Sequence, residues 1–330
     1  MTSLFLVRNL ISIKTADAIS DKKKIKEKIY ILPNLDLSSI EIMRSNINNS
    51  TFTGAIIPLK LFGNNFFLNF LSVIRYKKKV KEFYKKNKVT VLYVTNPLHY
   101  DTHIYYDVAK SNNIEVFFFE EGTCFYRLNE SEQYSAKTIF QKIKKNINNS
   151  ICLYQGYDKK PNGWYAALPF SQDSVKLNLK YNYYDELKSI KKVFLSRPAS
   201  EDFNGVGIDN EIEAILKFNL HVIDKPGDLF IKFHPRELND KRIRILSELK
   251  KAGINVFELK VKCSSEDVIY SMDKGVVCGY ETATLAYTRT INRNIKIYSV
   301  AEYIADKDRT NTIKGFIKFY KENFPYIEFI

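Results

Sequence analysis

Short apolar runs alternate with amphipathic stretches along the whole chain, the pattern of parallel strands joined by helices. In the first half the runs predict strands near 3–8, 28–32, 54–58, 90–95 and 114–119, with helical patterns near 13–24, 37–47, 66–87 and 99–111. In the second half strands are predicted near 192–196, 228–233, 254–258, 275–278 and 295–298, with helices near 208–222, 239–251, 265–272 and 281–288 and further helices in the C-terminal tail. The fold class is therefore α/β, as two doubly wound, Rossmann-like units. From Asp158 to Tyr184, Pro161, Gly163, Pro169 and many tyrosines break both periods, so 158–185 reads as the crossing between an N-terminal domain, 1–157, and a C-terminal domain, 186–330. A chain of 330 residues also exceeds what one compact core usually holds. Ligands of open parallel sheets sit beyond the carboxyl ends of the strands, so two such sheets facing each other would line a central cleft with those ends.

Composition narrows the partners. With 45% hydrophobic residues the chain can bury two cores, and its net charge of +14 asks for an anionic partner: nucleic acid, an acidic membrane surface or a phosphorylated substrate. Cys124, Cys152, Cys263 and Cys278 lie far apart with no CxxC pair, which indicates neither a zinc site nor a disulfide framework. The opening Met1–Ile13 lacks the basic lead, long apolar core and cleavage site of a signal peptide and reads as a first buried strand. No window reaches the roughly 18 apolar residues that span a bilayer, so the expectation is a soluble, cytoplasmic protein.

Candidate chemistry gathers at strand ends. Phe117-Phe118-Phe119-Glu120-Glu121-Gly122 describes a buried strand that delivers two carboxylates to a turn. Adjacent side chains of an extended chain point to opposite sides, so one of Glu120 and Glu121 faces a substrate as a general base, and Gly122 permits the sharp turn beside it. The second half repeats the architecture with Phe230-Ile231-Lys232-Phe233-His234-Pro235-Arg236-Glu237. Here Lys232 and Arg236 flank His234 and Pro235 fixes the backbone after it, which concentrates donors for a phosphate or carboxylate. Gly279-Tyr280-Glu281-Thr282-Ala283-Thr284 follows an apolar strand and opens a helix, where Thr282, Thr284 and free backbone N–H groups suit a phosphate or simply cap the helix. Ser196 and Arg197, ending the strand Phe194-Leu195, would emerge at the same edge. Together these residues form a phosphate site that needs no metal.

Glu120-Glu121-Gly122, then His234-Pro235, then the threonine-bearing segment after Gly279 resemble, in that order, the D/E-D/E-G, HP and Ser/Thr motifs of bacterial sialyltransferases. With Leu4-Phe5-Leu6-Val7-Arg8, Phe194 to Pro198 and Lys232 to Glu237, the chain looks most like glycosyltransferase family 52, the lipooligosaccharide sialyltransferases. It departs from that pattern at Arg8-Asn9-Leu10, where a Thr-Pro-Leu-Gln-like turn is common, and at Arg197, where glutamine is frequent. The resemblance implies a GT-B enzyme. It would move sialic acid from CMP-sialic acid to a galactose-type hydroxyl of a bacterial surface glycan, with inversion and without metal or other cofactor. Glu120 or Glu121 would then deprotonate the acceptor, His234 would hydrogen-bond or protonate the departing phosphate, and Thr282 and Thr284 would bind it. Ser196, Arg197, Lys232, Pro235, Arg236 and Gly279 would complete the donor site. A polysialyltransferase, or a capsule transferase using CMP-Kdo, would need a similar phosphate site, since both sugars are carboxylated ketoses carried by CMP.

Other signals carry less. Asp306-Lys307-Asp308 has the spacing of a metal-binding DxD, but it follows the helical Ala301–Ala305 rather than a strand. His99 and His103 lie one helical turn apart without a third ligand, just after the Val91–Thr95 strand, where they would touch an acceptor or line a surface helix. The segment 66–88 passes from Phe66-Phe67-Leu68 and Phe70-Leu71 into lysines from Lys77 to Lys88. It reads as an outer helix or as a peripheral contact with the anionic inner face of the inner membrane, where a lipid-linked glycan acceptor would lie. The basic charge also fits a nucleic-acid-binding protein, but no stripe of stacking aromatics or known module supports that partner, so none is expected.

Overall fold

The four residues Leu4, Phe5, Leu6 and Val7 are all fully buried, and they divide by alternation between two cores. Leu4 and Leu6 pack into one, Phe5 and Val7 into the other, as a strand must when both faces of its sheet are covered. The same split recurs at Leu92 and Val94 against Tyr93, and at Val116 and Phe118 against Phe119. This is why the strands read as continuous apolar runs. The computed structural model describes residues 2–32, 40–41, 43–44, 47, 51–53, 66–95, 100–123, 161–168, 174–310 and 312–330.

The chain divides into two compact units, Met1–Lys180 and Tyr181–Ile330. In the first, strands β1 (Thr2–Leu6), β2 (Glu27–Ile31), β3 (Thr51–Thr53), β4 (Val89–Val94), β5 (Glu115–Phe119), β6 (Gly163–Ala166) and β7 (Ser174–Lys176) pair in the order β3-β2-β1-β4-β5-β6-β7. Every pair is parallel. One face is covered by the helices Phe66–Lys86, through Val73, Tyr76, Val80 and Tyr84, and Tyr100–Ser111, through Ile104, Tyr105 and Val108. The helix Leu10–Lys23 covers the other through Ile13, Ala16 and Ile19.

The second unit repeats the plan with β8 (Lys192–Leu195), β9 (Leu229–Lys232), β10 (Val256–Glu258), β11 (Gly275–Gly279), β12 (Ile295–Ser299) and β13 (Ile327–Phe329), ordered β10-β9-β8-β11-β12-β13 and again all parallel. Phe194, Ile231, Val256, Val276 and Cys278 form one core with the helices Ile208–His221, Asn239–Lys251 and Thr312–Asn323. Helices Ser265–Ser271 and Ala283–Ile291 pack on each other. Both units are Rossmann-like, and in each the strand order reverses beside the first strand, between β1 and β4 and between β8 and β11.

One expectation changes, and two fall wholly or mostly outside the described residues. The stretch 158–185 is not simply a crossing: β6 and β7 extend the first sheet, and the units part at Lys180–Tyr181 instead of 157 and 186. These strands are too short to show a period, and what fixes β6 is packing, with Trp164 edge-on to Phe118 at 4.9 Å. Edge strand β13 in the C-terminal tail has the same cause. The strand expected over 54–58 lies outside the described residues, which hold β3 at Thr51–Thr53, and the helix expected over 37–47 falls mostly outside them too.

Gly275 opens β11 where that strand comes closest to the chain entering β8. Its φ of +157° is rarely adopted by other residues, and an added Cβ would lie 2.3 Å from the Lys191 carbonyl oxygen, which already accepts the Val276 N–H at 2.8 Å. Gly275→Ala is expected to destabilise the protein by about 3 kcal/mol through strain and overpacking, measured by chemical denaturation. A loss below ~1 kcal/mol would show that the two strands can separate freely.

Candidate active site

The chain leaves β9 through Phe233 and folds into one tight turn over His234-Pro235-Arg236-Glu237. The His234 carbonyl accepts the Glu237 N–H at 3.0 Å, and the Glu237 carboxylate reaches back to accept the His234 N–H at 2.6 Å. His234 Nδ1 in turn accepts the Arg236 N–H at 3.2 Å. This is the reciprocal arrangement of a capping box, with histidine in the cap position and proline where a missing N–H costs nothing. An Nδ1 that accepts a hydrogen bond carries no proton, so the neutral ring holds its proton on Nε2. Burial is the main cause that lowers the His234 pKa, to about 4, and the Arg236, Arg197 and Arg242 charges push the same way against Asp202. Near neutral pH this imidazole is a hydrogen-bond donor and not an acid in waiting.

Guanidinium groups frame the turn. Asp202 accepts both nitrogens of Arg236, at 3.0 and 3.2 Å, and Arg197 at 2.6 Å. Although burial alone would raise its pKa, hydrogen bonds from Arg236 and Arg197 hold its carboxyl below the usual range. Arg197 also pairs with the buried carboxylate of Glu281 and lies 4.5 Å above the Phe203 ring. Arg242 donates to the His234 carbonyl at 3.1 Å. Lys232 is half-buried, and burial pulls its pKa down, opposed by Cys263, Glu266 and Asp267. The carboxyl ends of β8, β9 and β11 thus bring Arg197, His234 and Glu281 into one charged cluster, as parallel strands require.

Two expected phosphate ligands turn out to be engaged elsewhere. The buried Ser196 hydroxyl donates to Glu237 at 2.8 Å, and the Thr284 hydroxyl, 3% exposed, donates to Glu266 at 2.7 Å. Their positions were legible; their partners come from other elements. Thr282 stands at the N-cap of its helix with no side-chain capping bond, and Gly279 lets that helix start close to β8, since a Cβ there would meet the Leu195 oxygen and Thr282 Cγ2, each at 3.1 Å. Asp308 accepts N–H groups from Thr310 and Ile313 and so caps the tail helix, while Asp306 is exposed. No group of three or more metal-ligating side chains occurs among the described residues.

In the first unit the two glutamates separate. Glu120 is fully buried and its Oε2 accepts the N–H groups of Ala167, at 2.6 Å, and Leu168, at 3.3 Å, just beyond β6. Its carboxylate ties the edge of the sheet. Glu121 is half-buried, its carbonyl accepts Asn9 Nδ2 at 2.8 Å, and Gly122 makes the turn with φ +132°. Asn9 also caps the first helix through a box with Ser12, so the ends of β1 and β5 are joined. His103 is buried at 2% exposure, which removes it from any acceptor-facing surface, and Arg8 donates to the neighbouring Thr102 at 3.2 Å. His99 lies outside the described residues.

Glu237, Asp202, Arg242 and Asn9 escaped the sequence reading. The His-Pro-x-Glu spacing is that of a capping box and marks Glu237; Asp202 takes one partner, Arg197, from five residues upstream and the other, Arg236, from the turn after β9.

The family model of alpha-2,8-polysialyltransferase (POLYST) matches residues 201–301, a span that holds the His234 turn, Asp202 and the Thr282 helix start. Among solved structures the chain is similar to LpCGTa in complex with UDP, with a TM-score of 0.58, 10% identity and coverage of 99% of this chain and 84% of that one. It is also similar to Phytolacca americana apo UGT2, at 0.55, 8%, 99% and 86%. UDP-N-acetylglucosamine 2-epimerase from Rickettsia bellii follows at 0.50, 13%, 98% and 88%. At such identities the likeness concerns the fold, which is GT-B, shared by glycosyltransferases and epimerases alike. No protein in the curated set matches the chain in sequence.

An NMR titration of the imidazole carbons is expected to place the His234 midpoint near 4. Because that lies below the ordinary histidine value of about 6.5, the unfolded chain binds the proton more readily, and this contribution to stability fades as pH falls from ~6.5 toward ~4. A bound phosphate anion should raise the midpoint; a midpoint above ~6 without ligand would mean the ring is solvated and not held in the turn.

Proposed function

We propose that the protein is a sialyltransferase that uses CMP-sialic acid, with inversion and without a metal ion. A GT-B fold and a family-model match that spans the His234 turn support glycosyl transfer. The observation that carries the finer reading is the neutral Nε2–H donor of His234, built into a capped turn among guanidinium groups within the matched span. Fixed donors of this kind act most strongly on charge that develops during the reaction, and a departing CMP phosphate gains such charge.

In this reading Glu121 takes the proton of the acceptor hydroxyl, whose oxygen attacks the anomeric carbon from the side opposite the phosphate. The bond to CMP breaks, its electron pair passes to the phosphate oxygen, and His234, Thr282 and the first N–H groups of the helix Ala283–Ile291 receive the charge. Glu121 is chosen because the Glu120 carboxylate is spent on backbone N–H groups. Arg197 and Arg236 supply the positive field that a donor with both a phosphate and a sugar carboxylate requires.

The family-model match favours a sialic acid hydroxyl as acceptor over the galactose-type hydroxyl of a lipooligosaccharide. CMP-Kdo transfer remains the competing donor chemistry. Attachment to the inner face of the membrane fits the helix Phe66–Lys86, where Ile74 is 48% exposed and Lys78, Lys79, Lys81, Lys85 and Lys86 are exposed along with it. No described helix is long and apolar enough to cross a membrane.

The test is incubation with CMP-sialic acid or CMP-Kdo in EDTA, with lactose-type and sialylated acceptors, following CMP release. Turnover of CMP-sialic acid is expected in EDTA, with Glu121→Gln and His234→Ala each lowering kcat about 100-fold or more. If neither donor is consumed, or if the protein instead binds single-stranded nucleic acid in a salt-sensitive way and ignores CMP, the reading fails.

A further inference from the structure

Beneath the His234 turn lies a set of buried charges that the reaction above does not use. Glu211 is 0%, Glu237 3% and Lys241 4% exposed. Lys241 Nζ reaches Glu211 at 2.8 Å, Glu201 at 2.8 Å and Glu237 at 3.4 Å. Glu211 also accepts the Ser200 N–H at 2.7 Å. Burying a lysine with two carboxylates is costly unless each is paired, and well-packed apolar residues would hold such a site at least as well. Stability alone is a weak reason for the set; its geometry offers a better one. One oxygen of Glu237 accepts the His234 N–H and the other accepts the Ser196 hydroxyl, so both are occupied as acceptors.

We propose that Glu237 is a positioning residue for His234, and that the buried chain Ser196–Glu237–Lys241–Glu211 holds the imidazole in its Nε2–H form toward the donor phosphate. The catalytic part of this proposal rests on the sialyltransferase reading; the structural part does not. A proton on the Glu237 oxygen that faces the His234 N–H breaks that bond outright; on the other oxygen it is donated to the Ser196 hydroxyl, which reverses, and the neutral acid left behind is a weaker acceptor for the His234 N–H. The turn then loosens, Nδ1 loses the Arg236 N–H, and the ring is free to change tautomer.

The groups facing Glu237 settle how this depends on pH. Lys241 and Glu211 approach from the two neighbouring helices, Ser196 from the end of β8 and the Tyr280 hydroxyl from the end of β11; His234 and Arg236 share its turn, and Arg242 holds the His234 carbonyl. Burial raises the Glu237 pKa above the ordinary carboxylate value, opposed by the His234 N–H, Ser196 and Lys241. A fall in pH that protonates Glu237 therefore loosens the turn, and the acid limb of activity belongs to the glutamate.

The experiment uses the full chain labelled with ¹⁵N. The chain has four histidines, so His234 is assigned by comparison with His234→Ala in long-range ¹H–¹⁵N spectra. Near pH 7 the parent should show a single Nε2–H tautomer and Glu237→Gln a mixture. With CMP-sialic acid, Glu237→Gln should lower kcat about 10- to 100-fold while KM changes by less than about threefold, and its acid limb should move to lower pH. If Glu237→Gln does not fold, Ser196→Ala, which leaves the buried charges balanced, should admit the second tautomer to a smaller extent and move the acid limb to higher pH, because the Ser196 hydrogen bond lowers the Glu237 pKa. A folded variant with the parent's tautomer and the parent's acid limb overturns the proposal. Absence of CMP-sugar turnover in the parent overturns the sialyltransferase reading instead, and the tautomer spectra still decide the role of Glu237.

Discussion

A parallel strand pair cannot be closed by a hairpin, and that restriction governs both units of the chain. Each strand has to be followed by a crossover that returns the chain to the same starting edge, so every carboxyl end opens on the opposite edge of its sheet. Arg197 after β8, His234 after β9 and Glu281 after β11 are between 37 and 84 residues apart, yet they meet in one charged cluster because their strands run the same way. Asn9 after β1 and Glu121 after β5 are brought together by the same rule. The strand order reverses beside β1 and β8, and such reversals are where folds of this class hold ligands.

Within the second unit, the placement of charge decides what His234 can do. A half-buried imidazole beside three guanidinium groups stays neutral, and a neutral ring whose Nδ1 is already an acceptor has only its Nε2–H to offer. Asp202 and Glu281 keep the arginines from facing one another uncompensated. The first unit solves a related problem differently, since two adjacent carboxylates at one strand end would repel if both faced the same space. Here Glu120 is fully buried on two backbone N–H groups, while Glu121 is half-buried beside it.

Much of this was written in local pattern. Apolar runs such as Leu4–Val7 and Phe117–Phe119 specify buried parallel strands because both faces of each must be covered, and amphipathic stretches such as 66–86 specify the helices that cover them. Turn chemistry was local too: Gly122 and Pro235 act within a few residues of themselves, so with the apolar runs before them His234 and the glutamate pair could be placed at strand ends from sequence alone. What lacked a local signal were strands of three or four residues such as β6, β7 and β13, which are too short for a period and exist through contacts like that of Trp164 with Phe118.

The partner of each polar side chain was decided only in three dimensions. A serine or threonine at a strand end looks equally suited to bind phosphate or to serve the fold, and the choice depends on what another element brings within about 3 Å. Glu237 takes Ser196, Glu266 takes Thr284 and the backbone beyond β6 takes Glu120. His103, too, is buried, at 2% exposure. Local sequence places the candidate groups, because strand ends and tight turns are local; the tertiary fold selects which of them are already engaged, because hydrogen bonding and desolvation depend on distant residues.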